Sequence, residues 1–379
     1  MKIAICARTW DESGGIGVYT RNLVSNLVRL DRKNRYVVFY ANASHVGQFS
    51  GYKNVQEVYV PFRKRLVGSQ MATLVWDQIS ALWHARKHDA DVIFHAKFAV
   101  PLLTRRKTVM VLHGTERFFY PQFSNAGDML FFRTVYPWYL KRATAIIAVS
   151  NRGREDIIKQ VKIDPAKVTT VHLAISPMFR VIKDTQVLEA VRRKYQLPPR
   201  FILHVGHIYP GKNFGRLLRA FARVREHADL CLVNVGTARR KYSGDLELIR
   251  TLGLDAHVIL AGYATQEDLV AMYNLAELVA FPSIYESFPA IPLEANACGC
   301  PVVTSPTGGT PESAGDAALY VDPKDEAGLC EAILRILADQ NLRQALVSKG
   351  FQNVKRFSWE MTANRTLDVL ESSGSRCRL

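Results

Sequence analysis

Short apolar runs alternate with amphipathic stretches along the first half of the chain. Seven runs of five to seven residues, rich in β-branched side chains, predict strands: Lys2–Arg8, Tyr36–Ala41, Val55–Val60, Val92–Ala96, Thr108–His113, Ala145–Ser150 and Val168–Leu173. Apolar positions at helical spacing predict the intervening helices: Gly17–Leu30, Ser69–Lys87, Met129–Arg142 and Arg152–Val161. Because strand and helix alternate, we expect a parallel sheet with helices on both faces.

The second half repeats this plan. Its predicted strands are Phe201–Gly206, Leu230–Gly236, Val258–Gly262, Leu278–Ser283, Pro301–Ser305 and Ala318–Asp322, and its predicted helices cover 212–227, 243–252, 265–275, 289–298 and 325–338. The stretch 176–200 is proline-containing and has no strand pattern, so it predicts a linker between domains at 1–175 and 201–356. A last helix is predicted over 357–371, and we expect it to pack back on the first domain. Ligands of doubly wound sheets bind outside the carboxyl ends of the strands, here in a cleft between the domains.

Composition narrows the class of protein. The 379 residues are 48% hydrophobic and 22% charged, which is typical of soluble globular domains, and no apolar run approaches the roughly 18 residues of a membrane span. The N-terminus lacks the pattern of a secretion signal, so we expect a cytoplasmic protein. Among the six cysteines, only Cys298 and Cys300 are closely spaced, and neither has a zinc-ligand partner in sequence, which predicts free thiols.

The positive charge is concentrated in the first half. Residues 1–175 hold 26 Lys and Arg against 12 Asp and Glu, whereas residues 176–379 hold 24 against 22. This asymmetry favours an anionic partner, such as a phospholipid surface or a phosphorylated ligand; solubility alone is the alternative. Arg63–Arg65 precedes a run with Trp76 and Trp83, and 131–142 mixes aromatic and basic residues, so reversible docking on an acidic membrane is a hypothesis. A buried core would explain the same aromatics.

Three turns contain candidate binding residues. Ser13–Gly17 lies between the first strand and its helix, where glycines admit a ligand to the backbone and free N–H groups face a phosphate or a sugar hydroxyl. A merely tight turn is the alternative. Gly206–Asn213 nearly matches the phosphate loop G-x-x-x-x-G-K-[ST], but Asn213 replaces the hydroxyl that binds magnesium. We therefore reject an ATPase and retain Lys212 as a cation for a diphosphate.

The third turn carries two carboxylates eight residues apart. Glu286 stands in the loop after a strand, and Glu294 lies about one turn into the next helix. They can accept hydrogen bonds from different hydroxyl-bearing parts of one ligand, and the helix N-terminus between them suits a phosphate. Glu294 lies among apolar residues, so its carboxylate needs a partner.

The run 281–301, with Glu-x₇-Glu followed by Ala-Asn-Ala-Cys-Gly-Cys-Pro, resembles the donor-site signature of the retaining glycosyltransferases of family 4, which have the GT-B fold. Further motifs agree in their order along nearly the whole chain: Gly14–Gly17, His113–Gly114, Ile146–Ser150, Gly206–Asn213, Gly308–Glu312 and Phe357–Glu360. The resemblance implies two Rossmann-like domains facing across a cleft. It also implies retaining, metal-independent transfer of a hexose such as mannose or glucose from a UDP- or GDP-sugar, without a cofactor. The acceptor would be a saccharide or lipid-linked glycan in polysaccharide or glycolipid synthesis, at the inner face of the cytoplasmic membrane.

The resemblance also implies roles for individual residues. Glu286 would hold the donor-sugar hydroxyls and Glu294 the ribose hydroxyls, while Lys212 would neutralise the leaving diphosphate. His113, the third candidate catalytic residue after Glu286 and Lys212, would face the sugar near the reacting centre; a satisfied strand-end histidine is the alternative. The remaining donor-site candidates are Gly15, Gly17, Gly206, His207, Gly262, Tyr263, Phe288, Pro289 and Ala290.

Some positions depart from the family pattern. Many relatives have Arg where this chain has His207 or Gly211, so one phosphate cation is missing, and Pro289 removes a backbone donor. Asp89-Ala-Asp91 is similar to a metal-binding D-x-D but precedes a strand, at the wrong edge of the sheet. Two alternatives stay open: a nucleotide-sugar epimerase, and a non-catalytic glycan- or nucleotide-binding protein. A nucleic-acid partner is disfavoured because no binding module is recognised.

Overall fold

The structure, a computed structural model, describes residues 1–12, 14–62, 69–237 and 244–375. The chain divides into two compact units. The first comprises Met1–Leu173 and Ser358–Leu379, and the second comprises Ala174–Phe357.

The first unit contains a seven-stranded parallel sheet in the order β3-β2-β1-β4-β5-β6-β7. Its strands are β1 (Lys2–Cys6), β2 (Arg35–Tyr40), β3 (Val55–Tyr59), β4 (Val92–His95), β5 (Lys107–Leu112), β6 (Ala145–Ala148) and β7 (Val168–Thr170). The helices are α1 (Gly15–Leu30), α2 (Ser69–Val75), α3 (Ala81–Lys87), α4 (Glu116–Phe119), α5 (Ala126–Thr134), α6 (Tyr136–Arg142), α7 (Asn151–Val161) and α16 (Trp359–Ser375). A π-helical turn, Trp76–Ser80, joins α2 to α3. The central strands are buried on both faces, as expected for a parallel sheet covered by helices.

The second unit contains a six-stranded parallel sheet in the order β10-β9-β8-β11-β12-β13. Its strands are β8 (Phe201–Val205), β9 (Cys231–Val235), β10 (Val258–Gly262), β11 (Leu278–Phe281), β12 (Val302–Thr304) and β13 (Ala318–Tyr320). The helices are α8 (Thr185–Lys194), α9 (Phe214–Arg225), α10 (Gly244–Thr251), α11 (Gln266–Leu275), α12 (Ile291–Ala297), α13 (Thr310–Ala314), α14 (Glu326–Ala338) and α15 (Gln340–Val354). Two apolar clusters, one on each face of the sheet, form its core.

Short 3₁₀ turns complete the two units: Arg8–Asp11, Ala43–His45, Pro121–Phe123, Pro165–Lys167 and Pro210–Lys212. In each sheet the strand order reverses beside the first strand, between β1 and β4 in one unit and between β8 and β11 in the other. Such a reversal opens a crevice at the carboxyl ends of the strands, where doubly wound sheets bind ligands.

The predicted class, two doubly wound parallel sheets, is confirmed. All thirteen predicted strands are present, with ends that differ by up to three residues. The sequence pattern missed α4, α8, α13 and α15, and it merged α5 with α6. It also merged α2 with α3, because the π-helical turn between them does not interrupt the apolar pattern.

The segment predicted as a linker, 176–200, is packed into the second unit in the structure. It belongs to the second unit and contains α8, because Phe179, Val191 and Leu197 are buried in that unit's core. The last helix, α16, belongs to the first unit, where Thr362 Oγ1 donates to the carbonyl of His172 at 2.9 Å.

The structure modifies the membrane hypothesis. Across the part of the chain that the structure describes, no helix is long and apolar enough to cross a membrane. Trp76 is buried, and its Nε1–H donates to the carbonyl of Val60 at 3.0 Å, so it cannot contribute to a docking surface. Trp83 is exposed, whereas Arg63–Arg65 lie outside the described residues.

Candidate functional site

Two charged side chains meet at the strand reversal of the second unit. Lys212 follows β8 and Glu286 follows β11, and the two strands are neighbours in the sheet. Lys212 Nζ donates to Glu286 Oε1 at 2.7 Å, and the ammonium lies 4.7 Å from the centre of the Phe281 ring. Their side chains are 15% and 17% exposed, so both remain within reach of a ligand. The structure thus brings a cation and a carboxylate, 74 residues apart in sequence, together at the carboxyl ends of two neighbouring strands, where doubly wound sheets bind ligands.

Two glycines allow the backbone to approach Lys212 and Glu286 closely. Gly206 has a φ of +144°, and a Cβ there would stand 3.3 Å from Cε of Lys212. Gly308 has a φ of +58°, and a Cβ there would stand 2.0 Å from the carbonyl oxygen of Glu286, which also accepts the Gly309 N–H at 2.7 Å. Only glycine fits such approaches in a left-handed conformation, so these turns position the Lys212 stem and the Glu286 backbone.

Asn213 has a structural role. Its backbone is left-handed, with a φ of +60°, a conformation that asparagine tolerates better than most residues. Its Nδ2 donates to the carbonyls of Pro282 at 3.0 Å and Pro323 at 2.6 Å. The position that supplies a hydroxyl in a phosphate loop is thus used here to join two strand-end loops.

Glu294 lies in the first turn of α12 and has the partner that its apolar surroundings require. The hydroxyl of Tyr273 donates to Glu294 Oε2 at 2.8 Å. Burial raises the pKa of Glu294 to about 7, although the hydrogen bond from Tyr273 opposes part of that increase. The carboxyl therefore titrates near neutral pH.

The segment between the two carboxylates is well packed. Phe288 and Pro289 are buried, and the Phe288 ring lies 5.5 Å from that of Phe357. Ala290 caps α12, and its carbonyl accepts the Glu294 N–H at 2.9 Å. This packing fixes the course of the backbone between Glu286 and Glu294.

The other donor candidates of this unit line neighbouring strand ends. His207 is exposed, and its Nδ1 lies 3.0 Å from Oγ1 of Thr237. Gly262 has a φ of +70°, and its carbonyl accepts the Gly236 N–H at 2.7 Å, while the next residue, Tyr263, is 71% exposed. The predicted residues 206, 207, 212, 262 and 286 therefore all lie at or just beyond the carboxyl ends of β8, β10 or β11.

In the first unit, the two predicted glycines differ. Among the residues that the structure describes, none lies within 4 Å of a Cβ on Gly15, which leaves that position open to a ligand. A Cβ on Gly17 would stand 1.8 Å from the carbonyl oxygen of Glu12, so Gly17 is required by the fold of its own turn. Ser13 lies outside the described residues.

His113 follows β5 and is held in one tautomer. Its Nε2 lies 2.7 Å from the carbonyl oxygen of Ala96, and because a carbonyl only accepts, Nε2 carries the proton and Nδ1 is an acceptor. Its ring packs edge-on against Tyr19 with centroids 4.7 Å apart. Burial lowers the pKa of His113 to about 4, so the imidazole is neutral near neutral pH.

A pocket of about 460 Å³ lies in the first unit, at the carboxyl ends of β1 and β4. Its lining combines ion pairs with aromatic rings: Arg8, Glu12, Thr73, Leu74, Asp77, Lys97, Phe98, Ala99, Arg117, Gly127, Asp128, Phe131 and Tyr139. Lys97 Nζ donates to Glu12 Oε1 at 2.9 Å, and both charges act on the pKa of His113. Carboxylates and ammonium groups beside ring faces suit a saccharide, whose hydroxyls both donate and accept.

Two family profiles match the chain, one in each unit. The profile described as Glycosyltransferase Family 4 matches residues 13–178, and that described as Glycosyl transferases group 1 matches residues 189–353. The chain belongs to this glycosyltransferase family. The predicted resemblance and the predicted enzyme class are confirmed.

The glycosyltransferase has relatives of similar length. O-antigen chain mannosyltransferase B of Escherichia coli is 27% identical over 365 residues, covering 94% of this chain and 95% of that protein. The serotype-specific mannosyltransferase WbdA of Escherichia coli is 29% identical over 243 residues, but the match covers 62% of this chain and only 30% of that protein. Among solved structures, Anabaena HepE in complex with UDP and glucose has a TM-score of 0.74 at 19% identity, covering 98% of this chain and 100% of that chain. The fold of the glycosyltransferase is therefore GT-B.

Sequence reasoning missed several residues around the candidate sites of this glycosyltransferase. Gly236 has a φ of +139°, and a Cβ there would stand 2.2 Å from the carbonyl oxygen of Gly206. A glycine directly after each of two predicted neighbouring strands, β8 and β9, could have indicated this close approach of their backbones. Tyr273 and the Glu12–Lys97 pair had no such signal, because their partners come from separate elements.

Proposed function

We propose that the enzyme transfers a hexose, with retention of anomeric configuration, from a nucleoside-diphosphate sugar to a saccharide acceptor. The observation that carries the proposal is the Lys212–Glu286 pair at the strand reversal of the second unit. A fixed ammonium stabilises negative charge that develops on the leaving diphosphate, and a carboxylate beside it accepts hydrogen bonds from the donor-sugar hydroxyls.

The second unit would bind the donor from both ends. Glu294, on α12, would accept the ribose hydroxyls, while backbone near Phe288 and Ala290 would approach the diphosphate. His207 and the Gly262–Tyr263 turn would contact the remainder of the nucleotide. Mannose is the proposed sugar, because two E. coli relatives are named mannosyltransferases. UDP and GDP are both candidates for the nucleotide; HepE is described with bound UDP.

Retention requires attack on the face that the diphosphate leaves. The bond between the anomeric carbon and the phosphate oxygen breaks, the acceptor oxygen bonds to that carbon, and the acceptor proton passes to a leaving phosphate oxygen. No protein base is needed for this step. His113, neutral and with Nδ1 as an acceptor, would orient a sugar hydroxyl rather than supply a proton.

The first unit would bind the acceptor, in the pocket beside Glu12 and Lys97. Carboxylate oxygens there would accept acceptor hydroxyls, and Phe131 would pack against a sugar face. The basic first half of the chain supports a saccharide that is lipid-linked or destined for a cell-surface polysaccharide. We place this reaction at the inner face of the cytoplasmic membrane.

A panel of nucleotide-sugars tests the proposal. Purified enzyme is first screened by thermal shift against UDP-, GDP- and ADP-sugars, and the stabilising donor is then used in transfer assays. Lys212→Ala and Glu286→Gln should each lower kcat by about 100-fold or more, because each removes a preorganised charge near the diphosphate or sugar. Near-normal turnover by Lys212→Ala would remove the phosphate-cation assignment.

The matched control is Lys194→Ala. Lys194 pairs with Asp268 at 2.6 Å on the surface of the same unit, so its loss removes a similar ion pair away from the site. It should leave kcat unchanged. Conversion of the donor into an isomeric nucleotide-sugar without acceptor would indicate an epimerase, and binding without transfer or hydrolysis would indicate a non-catalytic binding protein.

A further inference from the structure

Five large apolar side chains of the first unit are exposed on three neighbouring segments. They are Ile79 at 63%, Trp83 at 56%, Leu103 at 85%, Leu130 at 65% and Trp138 at 68% exposure, and together we call them the apolar face. Singly exposed hydrophobic residues are ordinary, whereas exposed apolar side chains that lie together mark interaction surfaces.

Hydrogen bonds hold the three segments together. Gln78 Nε2 donates to the carbonyl of Val100 at 2.9 Å and to the Tyr139 hydroxyl at 3.2 Å, and Gln78 Oε1 accepts the Leu102 N–H at 2.8 Å. The π-helical turn, the loop 100–106 and α6 therefore form one surface, and α5, which carries Leu130, directly precedes α6.

The exposed residues lie on the outer side of that surface. Ile79 and Trp83 are four residues apart, and Arg86, one turn further on, donates to the carbonyl of Leu103 at 3.1 Å. On α6, Trp138 is four residues before Arg142, which donates to the carbonyl of Leu102 at 3.2 Å. The loop that exposes Leu103 is thus anchored by an arginine from each side.

The charge around the apolar face is predominantly positive. Residues 79–87, 100–107 and 130–142 contain no Asp or Glu. Their basic residues are Arg86, Lys87, Arg105, Arg106, Lys107, Arg133, Lys141 and Arg142. Arg106 is paired with Asp89, whereas Arg105 and Lys141 are exposed.

This combination selects an anionic bilayer over other partners. Tryptophan favours the boundary between headgroups and acyl chains, aliphatic tips enter the acyl region, and Lys and Arg bind acidic headgroups. A second copy of the chain would bring like charges together at the interface, which is unfavourable. A nucleic acid would satisfy the cations but leave Leu103 and Ile79 without an apolar environment.

We propose that the apolar face docks on an anionic phospholipid bilayer and that the neighbouring pocket receives the headgroup of a lipid-anchored acceptor. Leu74 and Asp77 line the pocket and lie five and two residues before Ile79, and Phe131 and Tyr139 line it beside Leu130 and Trp138. The same helices therefore carry the docking residues and the pocket wall. The second part of this inference rests on the proposed function; the docking itself does not.

Vesicle co-sedimentation at low salt tests the docking. Full-length enzyme is mixed with vesicles of phosphatidylcholine alone or of phosphatidylcholine with phosphatidylglycerol. We expect binding to the anionic vesicles that falls as salt rises. Trp83→Ala with Trp138→Ala should weaken it by about tenfold or more, and Arg105→Gln with Lys141→Gln by about thirtyfold, at about 1 kcal/mol per basic residue. Phe351→Ala, an exposed aromatic of the second unit, is the control and should bind like the wild type.

Several outcomes would overturn the docking proposal. These are no binding to anionic vesicles, equal binding to phosphatidylcholine alone, or unchanged binding by the tryptophan double variant. Light scattering that shows dimers abolished by Trp83→Ala with Trp138→Ala would assign the face to self-association instead. Transfer to a short soluble acceptor separates the two proposals: the tryptophan variant should retain it. If the wild type binds vesicles but neither it nor the tryptophan variant transfers sugar, the docking proposal stands and the proposed function is contradicted.

Discussion

At the scale of single residues, the pKa of Glu294 connects the burial of its carboxyl to the proposed binding of the nucleotide. A carboxyl with a pKa of about 7 is half protonated near neutral pH, and only its ionised form is a full acceptor for two ribose hydroxyls. If Glu294 accepts the ribose hydroxyls as proposed, nucleotide binding must be accompanied by proton release when the pH is below that pKa, because burial favours the neutral form.

Nucleotide affinity should therefore rise with pH. Between pH 6 and pH 8, the dissociation constant of the stabilising nucleoside diphosphate should fall by about tenfold, measured by calorimetry in buffers of matched ionic strength. Glu294→Gln should bind more weakly and lose the pH dependence. Tyr273→Phe removes the hydrogen bond that lowers the Glu294 pKa, so its transition should move to higher pH. A wild-type affinity that is constant over this range would contradict the ribose assignment.

At the scale of elements, contacts between the loops that follow the strands fix the positions of the site residues. Glu286 belongs to the loop after β11, but its carbonyl is held by the turn at Gly308 and Gly309, after β12. Asn213, after β8, joins the loops at Pro282 and Pro323. Displacement of one loop should therefore move the others.

Gly308→Ala should impair catalysis out of proportion to stability. The new Cβ would stand 2.0 Å from the carbonyl oxygen of Glu286, so the Glu286 loop must shift, and misplacement of a positioned group by about 1 Å costs about 100-fold in rate. Gly253→Ala is the control, because Gly253 also has a left-handed φ, +65°, but no atom of the described part of the chain lies within 4 Å of its Cβ position. Both should lose about 1 kcal/mol of stability to backbone strain, Gly308→Ala somewhat more because its loop must also shift, and only Gly308→Ala should lose activity. Equal kcat values for the two variants would argue against this role of the turn.

At the scale of the whole molecule, the protein supplies charge in two different ways. The second unit holds one partly buried lysine, Lys212, with its Nζ against Glu286 Oε1, whereas the first half of the chain carries a broad positive field. In the proposed reaction, the lysine stabilises charge that develops on the leaving diphosphate, and the positive field attracts an anionic partner by an interaction that salt weakens.

Transfer should persist after treatment with a chelator. If Lys212 stabilises the leaving diphosphate, dialysis against EDTA should leave kcat within about twofold of the untreated enzyme, because no bound cation is then required for that role. The measurement is initial transfer rate before and after dialysis, with and without added magnesium or manganese. Loss of activity on dialysis with recovery on addition of either metal would contradict the metal-independent mechanism.

The sequence by itself was sufficient for the architecture. Strand and helix alternate in short local patterns, so all thirteen strands and the two-sheet plan could be predicted, as could the turns that carry Lys212, Glu286 and Glu294. These features are local because each depends on a few consecutive residues. Long-range partners are not local: the pairing of Lys212 with Glu286 and of Tyr273 with Glu294 depends on which strands become neighbours.

Trp76 and Trp83 show what only the tertiary structure decided. Seven residues apart, they would share one face of a regular helix, and the sequence offered both as docking residues. The π-helical turn at Trp76–Ser80 adds residues to one turn and changes the register between them. Trp76 is consequently buried against Val60, while Trp83 remains exposed on the apolar face. Helical spacing predicts that an aromatic residue lies on a helix, but the packing of the whole unit determines whether that residue faces the core or the solvent.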